Sequence, residues 1–268
     1  MMDLFNLNGK VAIVTGALGL IGKEHCKALR AYGSTVIVTD LDKEGVDFFA
    51  AELGENAYGF QMDITDKESI QKVCDQVVSL FGHIDILVNN AAINDMVENP
   101  KSSLEESKFE NYPLETWEKS LKVNLTGTFL CCQIFGKQMA QQGKGSIINI
   151  ASTYGIVAPN QSLYTDEFNN QLFYKPPAYP VTKAGVIMLT KYLAAYWGSK
   201  GVRVNCISPG GVENSQAEYF IKKYSERTPS KRMARKNDYQ GALIYLASDA
   251  SSYTNGANIV VDGGWTIW

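Results

Sequence analysis

Histidine is almost missing from this chain: 268 residues hold only two, His25 and His83. The five cysteines, Cys26, Cys74, Cys131, Cys132 and Cys206, stand at no recognisable ligand spacing to these histidines. No metal site is therefore expected. An odd, scattered cysteine set in mostly apolar surroundings also excludes a disulfide framework and reads as buried free thiols in a reducing compartment. Long hydrophobic runs are lacking, so no span of a bilayer is expected. The stretch Met1 to Lys10 has no basic region followed by an apolar run, so no signal peptide is expected. An excess of either charge is lacking too. Lys and Arg number 25 against 28 Asp and Glu, for a net charge of −3, and no global field draws the chain to nucleic acid or membrane. These absences describe a cytoplasmic protein with neither of those partners.

What is present is the composition of a globular domain, 45% hydrophobic and 20% charged, with length enough for a large core. Strand-like runs at Val11–Thr15, Thr35–Thr39, Ala57–Gln61, Ile84–Val88, Ser146–Ala151, Arg203–Ser208 and Asn258–Val261 alternate with helical periodicity. The helical segments are Ile21–Tyr32, Lys43–Leu53, Asp66–Phe81, Leu114–Gln142, Ala178–Gly198, Gln216–Glu226 and Tyr239–Ala247. Short apolar strands between helices predict an α/β fold, a parallel sheet doubly wound with helices on both faces. Neither a repeat nor an interdomain linker interrupts it, so residues 1–268 form one domain. Two connections are long, Ile93 to Tyr112 and Gly155 to Pro177, and both leave the carboxyl ends of strands, where open α/β sheets bind ligands.

The strand Val11–Thr15 runs into Thr15-Gly16-Ala17-Leu18-Gly19-Leu20-Ile21-Gly22 and then into a helix. Glycines let the backbone approach a pyrophosphate, and a helix N-terminus offers N–H donors and positive potential. Asp40 closes the second strand, where a carboxylate accepts the adenosine ribose hydroxyls and repels a 2′-phosphate. Leu41 follows where an arginine would hold that phosphate, so NAD(H) is the expected cofactor. A capping role for Asp40 or Asp42 on the next helix is the competing reading. Asp63 and Ile64 follow the third strand and could meet the adenine. Asn89-Asn90-Ala91-Ala92 follows the fourth, its small residues allowing close passage by the cofactor.

Tyr179-Pro-Val-Thr-Lys183 lies near the start of a long helical pattern. Residues four apart share a helix face, and a lysine beside a phenol favours the phenolate, predicting a base usable near neutral pH. The spacing recurs at Tyr219 and Lys223, within a charged stretch that reads as a solvated helix face.

These segments resemble the compact branch of the short-chain dehydrogenase/reductases over essentially the full length. The resemblance is carried by Thr15–Gly22, Asn89–Ala92, Val123-Asn124-Leu125, Ile150 to Gly155, Tyr179–Lys183, Asn205 to Gly210 and Val261-Asp-Gly-Gly264. It implies a single Rossmann-type sheet of seven strands. It implies a catalytic set in which Tyr179 exchanges a proton with the substrate oxygen and Ser152 orients that oxygen. Lys183 would hold the nicotinamide ribose and stabilise the phenolate, and Asn124 would anchor a water linking Lys183 to solvent. Cofactor contacts would come from Gly16, Gly19, Leu20, Ile21, Gly22, Asp40, Leu41, Asp63, Ile64, Asn90, Ala91, Ala92, Tyr179, Lys183, Pro209, Gly210, Val212 and Asn214. The Gly19-Leu20 spacing departs towards the longer, sugar-nucleotide-modifying branch, and Asn214 stands where a threonine is usual. The family implies a homotetramer, or a homodimer, through the helices that carry Phe129, Phe135, Met188, Leu189 and Leu193.

The intervals at about 93–112 and 155–177 are expanded relative to most members. The second is rich in amides and aromatics, which suit hydroxyls and sugar faces. The segment at about 212–236, which covers the substrate in this family, carries Lys222, Lys223, Arg227, Lys231, Arg232, Arg235 and Lys236. Together they predict a polar, carbohydrate-like and anionic small-molecule substrate, oxidised or reduced at a secondary carbon. The alternative is a solvated basic face with loops that mediate subunit contacts. The loops also look similar to those of short-chain dehydrogenases of bacterial glycan and flagellin-sugar biosynthesis, such as the legionaminic-acid pathways. A redox-neutral sugar-nucleotide epimerase or dehydratase, or a non-catalytic NAD-binding protein, are the competing functions.

Overall fold

The computed structural model describes residues 4–94 and 104–268. Seven parallel strands form one sheet in the order β3-β2-β1-β4-β5-β6-β7. They are β1 (Val11–Thr15), β2 (Thr35–Asp40), β3 (Ala57–Gln61), β4 (Ile86–Asn89), β5 (Gly145–Ile150), β6 (Val202–Pro209) and β7 (Asn258–Val261). The seven strand-like runs are all strands, with ends displaced by at most two residues. Strand order reverses between β1 and β4, and that switch point opens a crevice at their carboxyl ends.

Both sheet faces are covered because successive strand side chains point to opposite sides. Ile13 and Leu87 face a core built with α3 (Lys67–Phe81), α6 (Thr128–Gln142) and α7 (Ala178–Trp197). Ala12, Val14, Ile86 and Val88 face the opposite core, with α1 (Leu20–Ala31), α2 (Lys43–Leu53) and α9 (Gln240–Ala247). Among the described residues the remaining α-helices are α4 (Leu104–Ser107), α5 (Leu114–Ser120) and α8 (Glu218–Arg227). Local signals set the helix ends. Asp42 and Asp66 accept the N-terminal amides of Gly45 and Glu68, and Gly82 and Gly143 end α3 and α6 in left-handed conformation.

The long helical pattern Leu114–Gln142 is not one regular helix. Between α5 and α6 the backbone is π-helical over Leu121–Gly127, the stretch that carries Asn124. π-Helical bulges inside α-helices are rare and frequent at functional sites. The apolar residues of α6 and α7 sort into two faces. Phe135 and Leu193 are buried in the core, whereas Phe129 and Met188 are exposed. Among the described residues no helix is long and apolar enough to cross a membrane.

A smaller apolar cluster sits apart from the two large cores. Leu163, Tyr164, Tyr224, Met233 and Trp265 form it, with Phe173 and Phe220 packed against it. It joins the interval after β5 to α8 and the C-terminal segment, and Trp265 stacks on Tyr224 at 4.2 Å between ring centroids.

Candidate active site

A cleft of about 750 Å³ opens at the carboxyl ends of the central strands. Its lining brings together Leu20, Ile21, Asn90, Ala92, Ser152, Tyr179, Lys183, Pro209, Gly210, Val212 and Asn214 from the sequence-predicted set. These residues come from three strand ends, those of β4, β5 and β6, and from the starts of α1 and α7, which the parallel sheet makes neighbours.

The glycine turn borders the cleft through Leu20 and Ile21. Gly16 has φ +60°, and a Cβ there would stand 2.6 Å from Cα of Ala91. The turn and the β4 exit are therefore in backbone contact, a packing only glycine permits. Thr15 Oγ1 accepts the amides of Asn90 and Ala91, each at 3.1 Å, and Asn90 Nδ2 donates back to the carbonyls of Thr15 and Gly16. Asp40 Oδ2 accepts the amide of Leu18 at 3.0 Å, bracing the turn from the second strand. The cap of α2 is Asp42, not Asp40. Beyond Asp40, Leu41 is exposed. Asp63 accepts the amide of Thr65, and the Ile64 side chain is buried in the core against Gly127. Turn and helix start fit a dinucleotide: Cβ-free backbone precedes the N-terminus of α1, and Asp40 places a carboxylate at the carboxyl end of the neighbouring strand β2.

The catalytic candidates stand opposite. Ser152 caps the 3₁₀ turn Thr153–Gly155, its Oγ accepting the Tyr154 amide at 3.1 Å. A Cβ on Gly155 would lie 2.7 Å from the Lys183 carbonyl carbon, so this turn packs directly on the backbone of α7. That approach sets Ser152 beside Tyr179. Lys183 Nζ donates to the Ile150 carbonyl at 2.7 Å and lies 5.7 Å from the Tyr179 ring centroid. Asn124 lies behind the cleft wall. Its Oδ1 accepts the Ile93 amide at 2.7 Å, and its Nδ2 donates to the Ile93 carbonyl at 3.0 Å and to Thr182 Oγ1 at 3.4 Å. In this structure its side chain ties the β4 exit to the helix of Lys183.

The electrostatics correct one expectation. Burial pushes the Tyr179 phenol up from its ordinary value, and the Ser152 hydroxyl offsets this only in part. Burial also brings the Lys183 ammonium down to about 8. Desolvation is the largest cause at both groups because both are buried in a low-dielectric surrounding. The base consequently titrates on the alkaline side of neutrality.

Two further expectations fail on particular bonds. The basic segment does not turn its charges to the cleft. Lys223 Nζ donates to the carbonyls of Thr165 and Asp166 and to Thr165 Oγ1, and Arg227 donates to Ser162 Oγ. Lys231 bonds the Glu226 carbonyl, Arg232 pairs with Asp238, and Lys236 lies 3.7 Å from Glu24. Nor do the amides of the 155–177 interval serve mainly as ligand groups. Asn160 Oδ1 accepts from Ser162, Asn170 bonds Asp166, and Gln171 Nε2 donates to the carbonyls of Gln161, Tyr164 and Phe173. They satisfy the backbone of a long loop that is itself partly buried. Tyr219 is half-buried and lines the cleft.

The substrate side is made of residues that sequence reasoning did not single out. Asn94, Tyr154, Tyr164, Leu172, Phe173, Lys175, Gln216, Phe220 and Met233 line it. Tyr154 and Tyr164 share a hydroxyl–hydroxyl bond of 2.9 Å. Lys175 is 7% exposed, and its Nζ lies 4.8 Å from the Tyr179 ring centroid. The only signal for this wall was the aromatic content of the expanded interval. Part of the first expansion, with Pro100, lies outside the described residues.

Comparison with known proteins bears on the family and the fold. Residues 10–165 match the family model described as short chain dehydrogenase, and residues 169–266 match the one described as Enoyl-(Acyl carrier protein) reductase. A D-threitol dehydrogenase of Mycolicibacterium smegmatis is 38% identical, the match covering 98% of this chain and 95% of the relative. An NAD-dependent glycerol dehydrogenase of Listeria innocua is 32% identical over 98% of this chain and 96% of its own length. Among solved structures, a gluconate 5-dehydrogenase from Burkholderia cenocepacia in complex with NADP and tartrate superposes with a TM-score of 0.87. It is 29% identical, with 99% of this chain and 98% of that one covered.

Proposed function

The chain belongs to the short-chain dehydrogenase/reductase family, and on that premise we propose that it is an NAD(H)-dependent dehydrogenase interconverting a secondary alcohol and a ketone on a small polyhydroxylated substrate. The observation that carries this reading is the convergence of Ser152, Tyr179 and Lys183 on one cleft with Leu20 and Ile21 of the glycine turn. The threitol and glycerol enzymes among its relatives support a polyol as the substrate class. A nucleotide sugar of glycan biosynthesis belongs in the same screen.

The cofactor would be held by the turn Gly16 to Gly22, by Asp40, by Asn90 to Ala92, by Lys183, and by Pro209 to Val212 with Asn214. When bound, nicotinamide supplies the hydride acceptor or donor. The protein's own work is at the substrate oxygen. Ser152 donates a hydrogen bond to that oxygen and fixes its position over the phenol. Tyr179, as phenolate, takes the alcohol proton in oxidation and returns it in reduction. Lys183, in the ammonium form that it keeps below about pH 8, favours the phenolate from the face of the ring. Aromatic walls on the substrate side exclude water from the reacting carbon.

Asp40 with exposed Leu41 supports NAD(H) over NADP(H). Calorimetry with both reduced cofactors tests it: NADH should bind the tighter, and Asp40→Ala should cut that preference about tenfold, the worth of one charge-assisted hydrogen bond. Because Asp40 also braces Leu18, NADH affinity itself should fall. Equal or tighter NADPH binding to the native protein would reject the cofactor assignment. The exposed Phe129 and Met188 on α6 and α7 support assembly into a homotetramer or homodimer. Light scattering at micromolar concentration should return a multiple of the chain mass, and a monomeric mass would exclude it.

A further inference from the structure

The expanded interval after β5 delivers one charged side chain to the reacting end of the cleft. Lys175 is buried, yet it lines the cleft and lies over the ring of Tyr179 at 4.8 Å. Its position is built, not incidental. Nζ donates to Asn94 Oδ1 at 2.5 Å. Its backbone is fixed on both sides by one amide, Gln161, which accepts the Lys175 amide at 2.8 Å and donates to the Lys175 carbonyl at 3.3 Å. Gln171 then closes the same loop on itself through three carbonyls. Burying an ammonium is costly, and here a whole loop is arranged to hold one beside the base.

We propose that Lys175 selects the substrate by binding an oxygen carried on the carbon next to the reacting carbon, so that vicinal diols and α-hydroxy ketones are preferred to simple alcohols and ketones. The assignment rests on the alcohol–ketone reading above. An ammonium donates hydrogen bonds and accepts none, so its ligand is a hydroxyl, carbonyl or carboxylate oxygen. The reacting oxygen already has its partners in Ser152 and Tyr179. Lys175 stands over the face of the Tyr179 ring, 4.8 Å from its centroid, and the oxygen on the neighbouring carbon of a polyol is the one assigned to it. Phe173, Leu172 and Phe220 complete the wall and meet the carbon-bound hydrogens of the same chain. Lys223, Arg227, Arg232 and Lys236 bond outside the cleft, and among the described residues Lys175 is the cation that the substrate-side lining carries.

Butane-2,3-diol and butan-2-ol differ by the one hydroxyl at issue. Native enzyme should oxidise the diol with the higher kcat/KM. Lys175→Met keeps the apolar stem and should reduce the diol-to-alcohol ratio about 10- to 100-fold, with Lys175→Gln restoring part of it through a neutral donor. Equal losses on both alcohols would mean that Lys175 acts on Tyr179 or on the loop, and would overturn the proposal. So would a native enzyme indifferent to the second hydroxyl. If neither alcohol nor any polyol is turned over, the oxidoreductase reading of the substrate class fails. Calorimetric binding of threitol to the NADH complexes then decides the Lys175 assignment: about tenfold weaker binding to the Lys175→Met protein upholds it, and equal affinity overturns it.

Discussion

The two sides of the cleft are built in different ways. On the cofactor side, short βα connections leave a rigid sheet and the backbone does the work: a left-handed Gly16, amides and carbonyls shared between Thr15 and Asn90, and a helix N-terminus. On the substrate side, loops far apart in sequence are held by side chains that reach across to backbone or to each other. Lys175 and Asn94 are 81 residues apart, Tyr174 bonds Ser107 across 67, and Lys223 bonds Thr165 across 58. The cofactor side rests on two large cores, the substrate side on a small satellite cluster. A site divided this way can change its substrate wall while its hydride chemistry stays fixed, because the two walls share few supports.

The sharpest way to separate the sides is to remove chemistry without touching either wall. Tyr179→Phe should lower kcat by a factor of about 10²–10⁴ with NADH affinity within about twofold, since only the proton-transfer group is lost. Steady-state kinetics and calorimetry read the two quantities, and parallel losses would mean that Tyr179 supports the cofactor wall as well. Tyr219→Phe, on the other wall, should affect KM more than kcat.

Trp265→Ala should break only the substrate side. Trp265 is 8% exposed and stacked on Tyr224, and truncating a packed tryptophan costs about 3–5 kcal/mol of packing. We expect KM for a polyol to rise about tenfold while NADH affinity stays near native, because the satellite cluster can loosen without the sheet. Joint loss of both bindings would show that the walls are one cooperative unit.

The smallest effect is on pH dependence. The Lys183 ammonium falls from an ordinary 10.5 to about 8 on folding. Between those values the unfolded chain keeps a proton that the folded one has released, so stability from this group rises as pH increases from 8 towards 10.5. Burial raises Tyr179, Tyr164, Tyr224 and Tyr239. Above their ordinary value of 10.0 the unfolded phenols ionise first, and stability falls again. In Lys183→Met the gain in Tm from pH 8 to pH 10 should shrink by a few degrees relative to native. Superposable Tm–pH curves would remove Lys183 from the set of buried titrating groups. Native oxidation rates should rise with pH as the phenolate fraction of Tyr179 grows towards its raised pKa.

The sequence by itself determined the sheet, the glycine turn, Asp40, and the positions of Ser152, Tyr179 and Lys183, because each is written as a local pattern: alternation, glycine spacing, a residue at a strand end, two residues on one helix face. It could not show that Lys223 and Arg227 serve the loop, that Gln161 and Gln171 satisfy backbone, or that Lys175 is the charge at the reacting end. Those roles follow from which groups burial leaves to be partnered, and burial is settled only when distant segments pack. The acidity of Tyr179 was decided in the same way. Spacing placed a cation beside it, but the depth of the cleft set the direction, since desolvation depends on everything that surrounds the group and not on its neighbours along the chain.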